Sequence, residues 1–216
     1  VPRTSSGIWP LVHAERAALA ADLSRLDDAQ WATPSLCAGL SVREGVAHLT
    51  VGGSLNALRR LAGVIRCRFD FDRQVAMRLA EQLGSSPAET LAPFARAVDS
   101  TTSPPLPVPA LLGEVVVHGE DIRRPLGITR DHPGDLLTRL ARSYAGSDQV
   151  VLARRRVRGL RLQATDGPFT TGSGPLVTGR TPALVMAMTG REVYCDEPAG
   201  PGVGTLRARC RPEEES

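Results

Sequence analysis

The chain has 216 residues, enough for one large domain or two small ones and for a core that needs no metal or disulfide staple to fold. Its 26 basic residues, all arginine, stand against 23 acidic ones, so the net charge is only +3 and the two signs are interspersed, which argues against a dedicated nucleic-acid surface. No apolar run approaches the roughly 18 residues of a membrane span, and the segment beginning Val1-Pro2-Arg3 shows no apolar secretory core. Cys37, Cys67, Cys195 and Cys210 form no C-x-x-C pair, so they read as reduced thiols in a cytoplasmic protein.

The first two-thirds of the chain reads as helical. Leu19, Leu23 and Leu26 recur at helical spacing and predict a helix from about Trp9 to Leu26, broken into a loop by Asp27-Asp28 and the stretch Trp31 to Pro34. Ser41 and Glu44 make a capping box that opens a second helix, running to about Leu61 through Val42, Val46 and Leu49. A third helix is expected over about Asp70–Leu83. Ser86-Pro87-x-Glu89 starts a fourth, with Pro93 deep enough inside to kink or shorten it. After a proline-rich linker, Ser103 to Pro109, a helix runs through Leu111, Leu112, Val115 and Val116 to Ile122, ending at Pro125 and Gly127. Another is expected from about Pro133 to Leu152.

Beyond Arg158 the period changes. Leu160 to Ala164 alternates as a strand does, Asp166-Gly167 marks a turn, and Leu176-Val177 is a short strand candidate. Thr181-Pro182 opens a short helix ending at Gly190, and Leu206 to Arg209 reads as a last strand. The expected fold is mainly α: a four-helix bundle over residues 1–157, a small α+β domain over 158–210, and a disordered acidic tail over 211–216.

Glu114 and His118 are four residues apart on a predicted helix, so both project from one face. His48, inside another helix, could add a third ligand from across a bundle. Two imidazoles and one carboxylate leave coordination positions open for water or substrate, as catalytic rather than structural metal sites do. Unrelated helix histidines remain the plainer reading of spacing alone.

Five segments bear a family resemblance. The run WATPSLCAGLSVREGVAHL, Trp31 to Leu49, resembles the signature of the mycothiol-dependent maleylpyruvate isomerase family within the DinB-like metalloprotein superfamily. EVVVHGEDIRRPLG, Glu114 to Gly127, resembles the family's second metal-binding segment. Leu160 to Gly167, Gly172 to Gly179 and Thr189-Gly190-Arg191 look like its small C-terminal domain. The resemblance implies a DinB-like four-helix bundle and a divalent metal, zinc or alternatively nickel, held by residues that fall on His48, Glu114 and His118. It also implies mycothiol as an external thiol cosubstrate, so no cysteine of the chain is assigned as nucleophile. Leu40 departs from the family's usual Trp at that position, and Pro93 interrupts a packed helix.

A metal-bound thiolate acting on a small electrophile would make the enzyme an isomerase or S-transferase; activation of water would make it a hydrolase. Arg73, Arg180 and Arg191 are candidates for pairing with an acidic substrate, with surface solvation as the plainer role. Asp121 either orients a ligand histidine or pairs with Arg124. Cys37 reads as a packing residue, Asp166 as a turn residue, and His13 and His132 as solvated. Arg154 to Arg156 complement a helix C-terminus, with no aromatic platform to suggest nucleic acid. The partners expected are a small electrophile and a low-molecular-weight thiol, with neither nucleic acid nor membrane; a homodimer is compatible with the self-association of many such bundles. The alternative from another class is a non-catalytic metal-binding or regulatory module on the same bundle.

Overall fold

A computed structural model describes residues 7–37, 39–54, 79–102 and 108–211. Residues 103–107 of the expected linker, 212–216 of the tail, Cys67, Arg73 and most of the third helix lie outside the described residues, while Val108 and Pro109 are helical. The described chain forms two compact units, residues 1–130 and 131–216.

In the first unit α1 (Trp9–Leu23), α3 (Val42–Ser54), α4 (Pro87–Arg96) and α5 (Val108–Arg123) form a four-helix bundle in which α1 and α3 each pack on both α4 and α5. Leu19, Leu23, Val46, Leu49, Phe94 and Ile122 meet in its core, which Trp31 closes from α2 (Asp28–Ala32). That short helix replaces the expected loop. Asp27 accepts from the Gln30 N–H while the Gln30 side chain accepts from the Asp27 N–H, so two backbone donors are satisfied and one turn survives. The capping box at α3 forms as its sequence demands: Glu44 Oε2 accepts from Ser41 N–H at 2.8 Å, and Ser41 Oγ accepts from Glu44 N–H at 3.3 Å. Ser86 caps α4, which continues through Pro93, and Ala97 N–H donates to the Pro93 carbonyl. After α5 a single 3-10 turn, Arg124–Leu126, ends at Gly127, whose φ of 66° is one that glycine adopts freely.

The second unit is built around one helix. Every residue of α8 (Thr181–Met188) except Pro182 is buried, so its near-continuous apolar sequence reflects covering on all sides. It is covered by α6 (Gly134–Gly146), α7 (Ala153–Val157), a small sheet, the 3-10 turn Glu192–Asp196 and α9 (Val203–Ala208). The sheet has the order β2-β1-β3. The strands β1 (Arg161–Ala164) and β3 (Leu176–Gly179) run parallel with Leu162 opposite Val177, and β2 (Thr170–Thr171) pairs antiparallel to β1. Gly172 and Gly174, with φ of 70° and 120°, pass so close to the Leu160 and Gly159 carbonyls that a side chain at either would collide with backbone.

Two expectations differ from this. The helix expected over Pro133 to Leu152 stops at Gly146, with Ser147 as an extended C-cap, and a separate short helix, α7, begins at Ala153. Leu206 to Arg209 is not a strand. It lies in and just after α9, where Leu206 alone is buried, and one buried residue in four cannot distinguish a period of two from 3.6. Within the unit 131–216 the apolar face of α6 (Leu136, Leu137, Leu140, Ala141 and Tyr144) packs on α8.

Candidate metal centre

The first unit brings His48, Glu114 and His118 together. His48 projects from α3, and Glu114 and His118 project one turn apart from α5, which packs on it. His48 Nε2 lies 3.5 Å from Glu114 Oε1, and the two imidazoles meet edge to face with ring centres 5.0 Å apart. One donor atom from each of the three residues lies within 4.8 Å of the other two. His48 remains 33% exposed and Glu114 22%, so the cluster faces a solvent-reachable opening.

Asp121, one turn further along α5, is fully buried, and its Oδ2 lies 3.0 Å from His118 Nδ1. Burial alone would push the His118 imidazole down. Hydrogen bonds to Asp121 and Cys37 and the negative charge at both outweigh it and raise His118 to about 9. Nδ1–H therefore donates to Asp121, which leaves Nε2 as the nitrogen available to a cation once it has shed its proton.

The donor chemistry fits a divalent cation. Tetrahedral zinc with bonds of about 2.0–2.1 Å holds its ligand atoms roughly 3.3 Å from one another. The 3.5 Å between His48 and Glu114 is already close to that spacing. Two nitrogens and one oxygen also suit nickel.

Sequence reasoning left two residues of this region unused. Cys37 forms a second close group with His118 and Asp121. It is brought there by the loop before α3, where Leu36 N–H donates to the Asp121 carbonyl at 3.0 Å. Arg16, in the middle of α1, is buried and donates to the carbonyls of Ala97 and Ser100. Burial lowers its pKa and the Glu114 carboxylate opposes that, so a fixed positive charge stands near the cluster's only carboxylate ligand candidate. An arginine within a helical period has no local mark of burial, and Cys37 meets His118 only through tertiary folding.

The remaining candidates have these surroundings. Arg180 is exposed and sits 3.7 Å from Asp166, and Arg191 donates to the Thr189 carbonyl; both belong to the second unit. Arg154 pairs with Asp148 at 3.2 Å. His132 is buried, against the expectation of a solvated ring, and His13 stacks obliquely on Trp9 at 5.8 Å.

A helical bundle bearing two imidazoles and a carboxylate at one point, followed by a small α+β unit, defines the DinB-like class of fold. Residues 12–105 match the family model described as the mycothiol maleylpyruvate isomerase N-terminal domain. No curated protein matches the chain in sequence. Two solved structures share its fold: the mycothiol-dependent maleylpyruvate isomerase, with a TM-score of 0.62, and a histidine-to-alanine mutant of it, with 0.63. Each is 14% identical and covers 91% of this chain and 92% of its own. The sequence match to that family model is confined to residues 12–105, and the two solved structures show a shared fold.

No helix among the described residues is long and apolar enough to cross a membrane.

Proposed function

We propose that this protein is a divalent-metal-dependent enzyme that uses a low-molecular-weight thiol of the mycothiol type, acting as an isomerase or S-transferase on a small electrophile. The observation that supports it most is the convergence of His48, Glu114 and His118 from two helices, with His48 and Glu114 partly exposed. The family, named for a thiol-dependent isomerase, supports the thiol.

A dication at these residues would lower the pKa of a thiol bound to it and so supply a thiolate at neutral pH. The chain's own residues prepare that chemistry. Glu114 and two neutral imidazoles contribute a single negative charge, so the centre keeps a net positive charge to stabilise the sulfur anion. Asp121 holds the His118 ring in one orientation and one tautomer. Arg16 sets a buried positive charge within electrostatic reach of Glu114. A thiolate that adds to an activated carbon–carbon double bond, allows rotation and leaves again exchanges cis for trans. A thiolate that adds and stays performs S-transfer. Arg73, Arg180 and Arg191 are the arginines proposed to meet an acidic substrate.

The test is turnover by the zinc-reconstituted full chain with mycothiol and maleylpyruvate, beside other thiols and electrophiles. The expected result is thiol-dependent turnover that a chelator abolishes and that His48→Ala lacks. Turnover that persists without thiol, or that survives His48→Ala unchanged, would overturn the reading.

A further inference from the structure

The second unit contains a pair of thiols that the metal chemistry does not use. Cys195 lies in the 3-10 turn Glu192–Asp196, and Cys210 lies just past the end of α9. Their sulfurs are 3.8 Å apart, and both cysteines are free. A disulfide needs about 2.05 Å, so the sulfurs must close most of the remaining gap, a movement within reach of side-chain rotation. Cys195 is 1% exposed and Cys210 8%, so a small oxidant meets Cys210 first and a bulky one is excluded from both.

The surroundings separate the two thiols by role. A hydrogen bond from Cys195 stabilises a thiolate at Cys210, burial opposes it, and the charges of Arg156 and Arg207 assist it, so the Cys210 thiol is held below its ordinary value. The Cys195 thiol is pushed up, first by its hydrogen bond with Cys210 and then by burial, and so retains its proton. While protonated, Cys210 donates to the Ala187 carbonyl of α8 at 3.2 Å, and Arg207 donates to the Cys195 carbonyl at 2.9 Å. These contacts fix both sulfurs against one another.

We propose that Cys195 and Cys210 form a redox pair that a small hydroperoxide converts reversibly into a disulfide, pinning the end of α9 to the turn Glu192–Asp196. The Cys210 thiolate attacks the peroxide oxygen; an S–O bond forms, the O–O bond breaks, and the departing oxygen takes a proton and leaves as water or alcohol. Cys210 is thereby oxidised to the sulfenic acid. Cys195 sulfur then attacks Cys210 sulfur; the S–S bond forms, the S–O bond breaks, and hydroxide leaves with the Cys195 proton as water. An external dithiol restores both thiols by exchange.

The experiment treats the full-length chain with hydrogen peroxide, blocks the remaining thiols under denaturing conditions, and maps tryptic peptides by mass. Trypsin cuts after Arg191, Arg207 and Arg209 but not between Arg211 and Pro212, so the pair joins peptide 192–207 to peptide 210–216. The linked peptide should appear, lighter by two hydrogens than its reduced parts, and vanish on treatment with dithiothreitol. In Cys195→Ser, Cys210 should accumulate a sulfenic acid that dimedone traps when the chain is denatured in its presence. In Cys210→Ser, Cys195 should be oxidised at least about tenfold more slowly than in the parent. The wild-type map stands without either variant. Oxidation confined to Cys37 or Cys67, or Cys210 passing to the sulfinic acid while Cys195 stays reduced, would overturn the proposal.

Discussion

The contact between Asp121 and His118 decides how the candidate centre is oriented. A histidine that donates Nδ1–H to a buried carboxylate at 3.0 Å presents one nitrogen in one direction. Asp121→Asn removes the charge and keeps the shape, so zinc affinity is expected to fall about 10–100-fold, read by competition with a chromophoric chelator. Unchanged affinity would make Asp121 a core residue that merely lies beside His118. At this scale the sequence was informative where residues are neighbours on one helix: Glu114, His118 and Asp121 share a face of α5 by spacing alone. Spacing offered His48 as a third ligand from across the bundle, and the family resemblance implied the same trio. Cys37 and Arg16 were not legible, since one reaches His118 through a loop and the other is buried by helices that only the tertiary fold supplies.

Among the elements, the ones with strong start signals were legible. The Ser41/Glu44 box and the Ser86 cap appear where they were expected. The short elements were not. The α2 helix depends on Asp27 and Gln30 satisfying each other, and β2 is two residues long, too short to show any period. The start of α8 shows why local reading also fails at caps. Its Arg180 N-cap makes no side-chain bond, and Asp166 accepts instead from Thr181 N–H at 2.8 Å and from the Thr181 hydroxyl at 2.5 Å. Burial pushes the Asp166 carboxyl up, but these hydrogen bonds outweigh it and hold it below the usual carboxylate range. The folded value lies below the unfolded one, so this contribution to stability is full above the unfolded pKa and is lost as pH falls through the folded one. Asp166→Ala is expected to cost about 1 kcal/mol near neutral pH. Urea midpoints of the two proteins should converge on acidification below about pH 4, the ordinary carboxylate value. A gap that stays constant down to about pH 2 would show that the ionised carboxylate is not the cap.

For the whole molecule, the change from helical to alternating period near Arg158 marked where the strands begin. The amphipathic pattern of α6 says that it covers something, and only the fold says that it covers α8. Cutting before Asp131 should therefore yield a C-terminal fragment, 131–216, that unfolds cooperatively in urea. A fragment of 158–216 strips α6 and α7 from α8, leaves its apolar surface bare, and is expected to unfold without a sigmoidal transition or to aggregate. Equal cooperativity in the two fragments would place the boundary at 157/158 after all.

The central claim is that His48, Glu114 and His118 act as one metal centre. It is tested most directly by elemental analysis of the purified full-length chain beside His48→Ala and His118→Ala, each after zinc reconstitution and removal of excess metal. The account predicts close to one zinc per wild-type chain and loss of it in both variants, with circular dichroism showing that the helices remain. A wild-type chain that holds no metal, or variants that keep theirs in full, would contradict it.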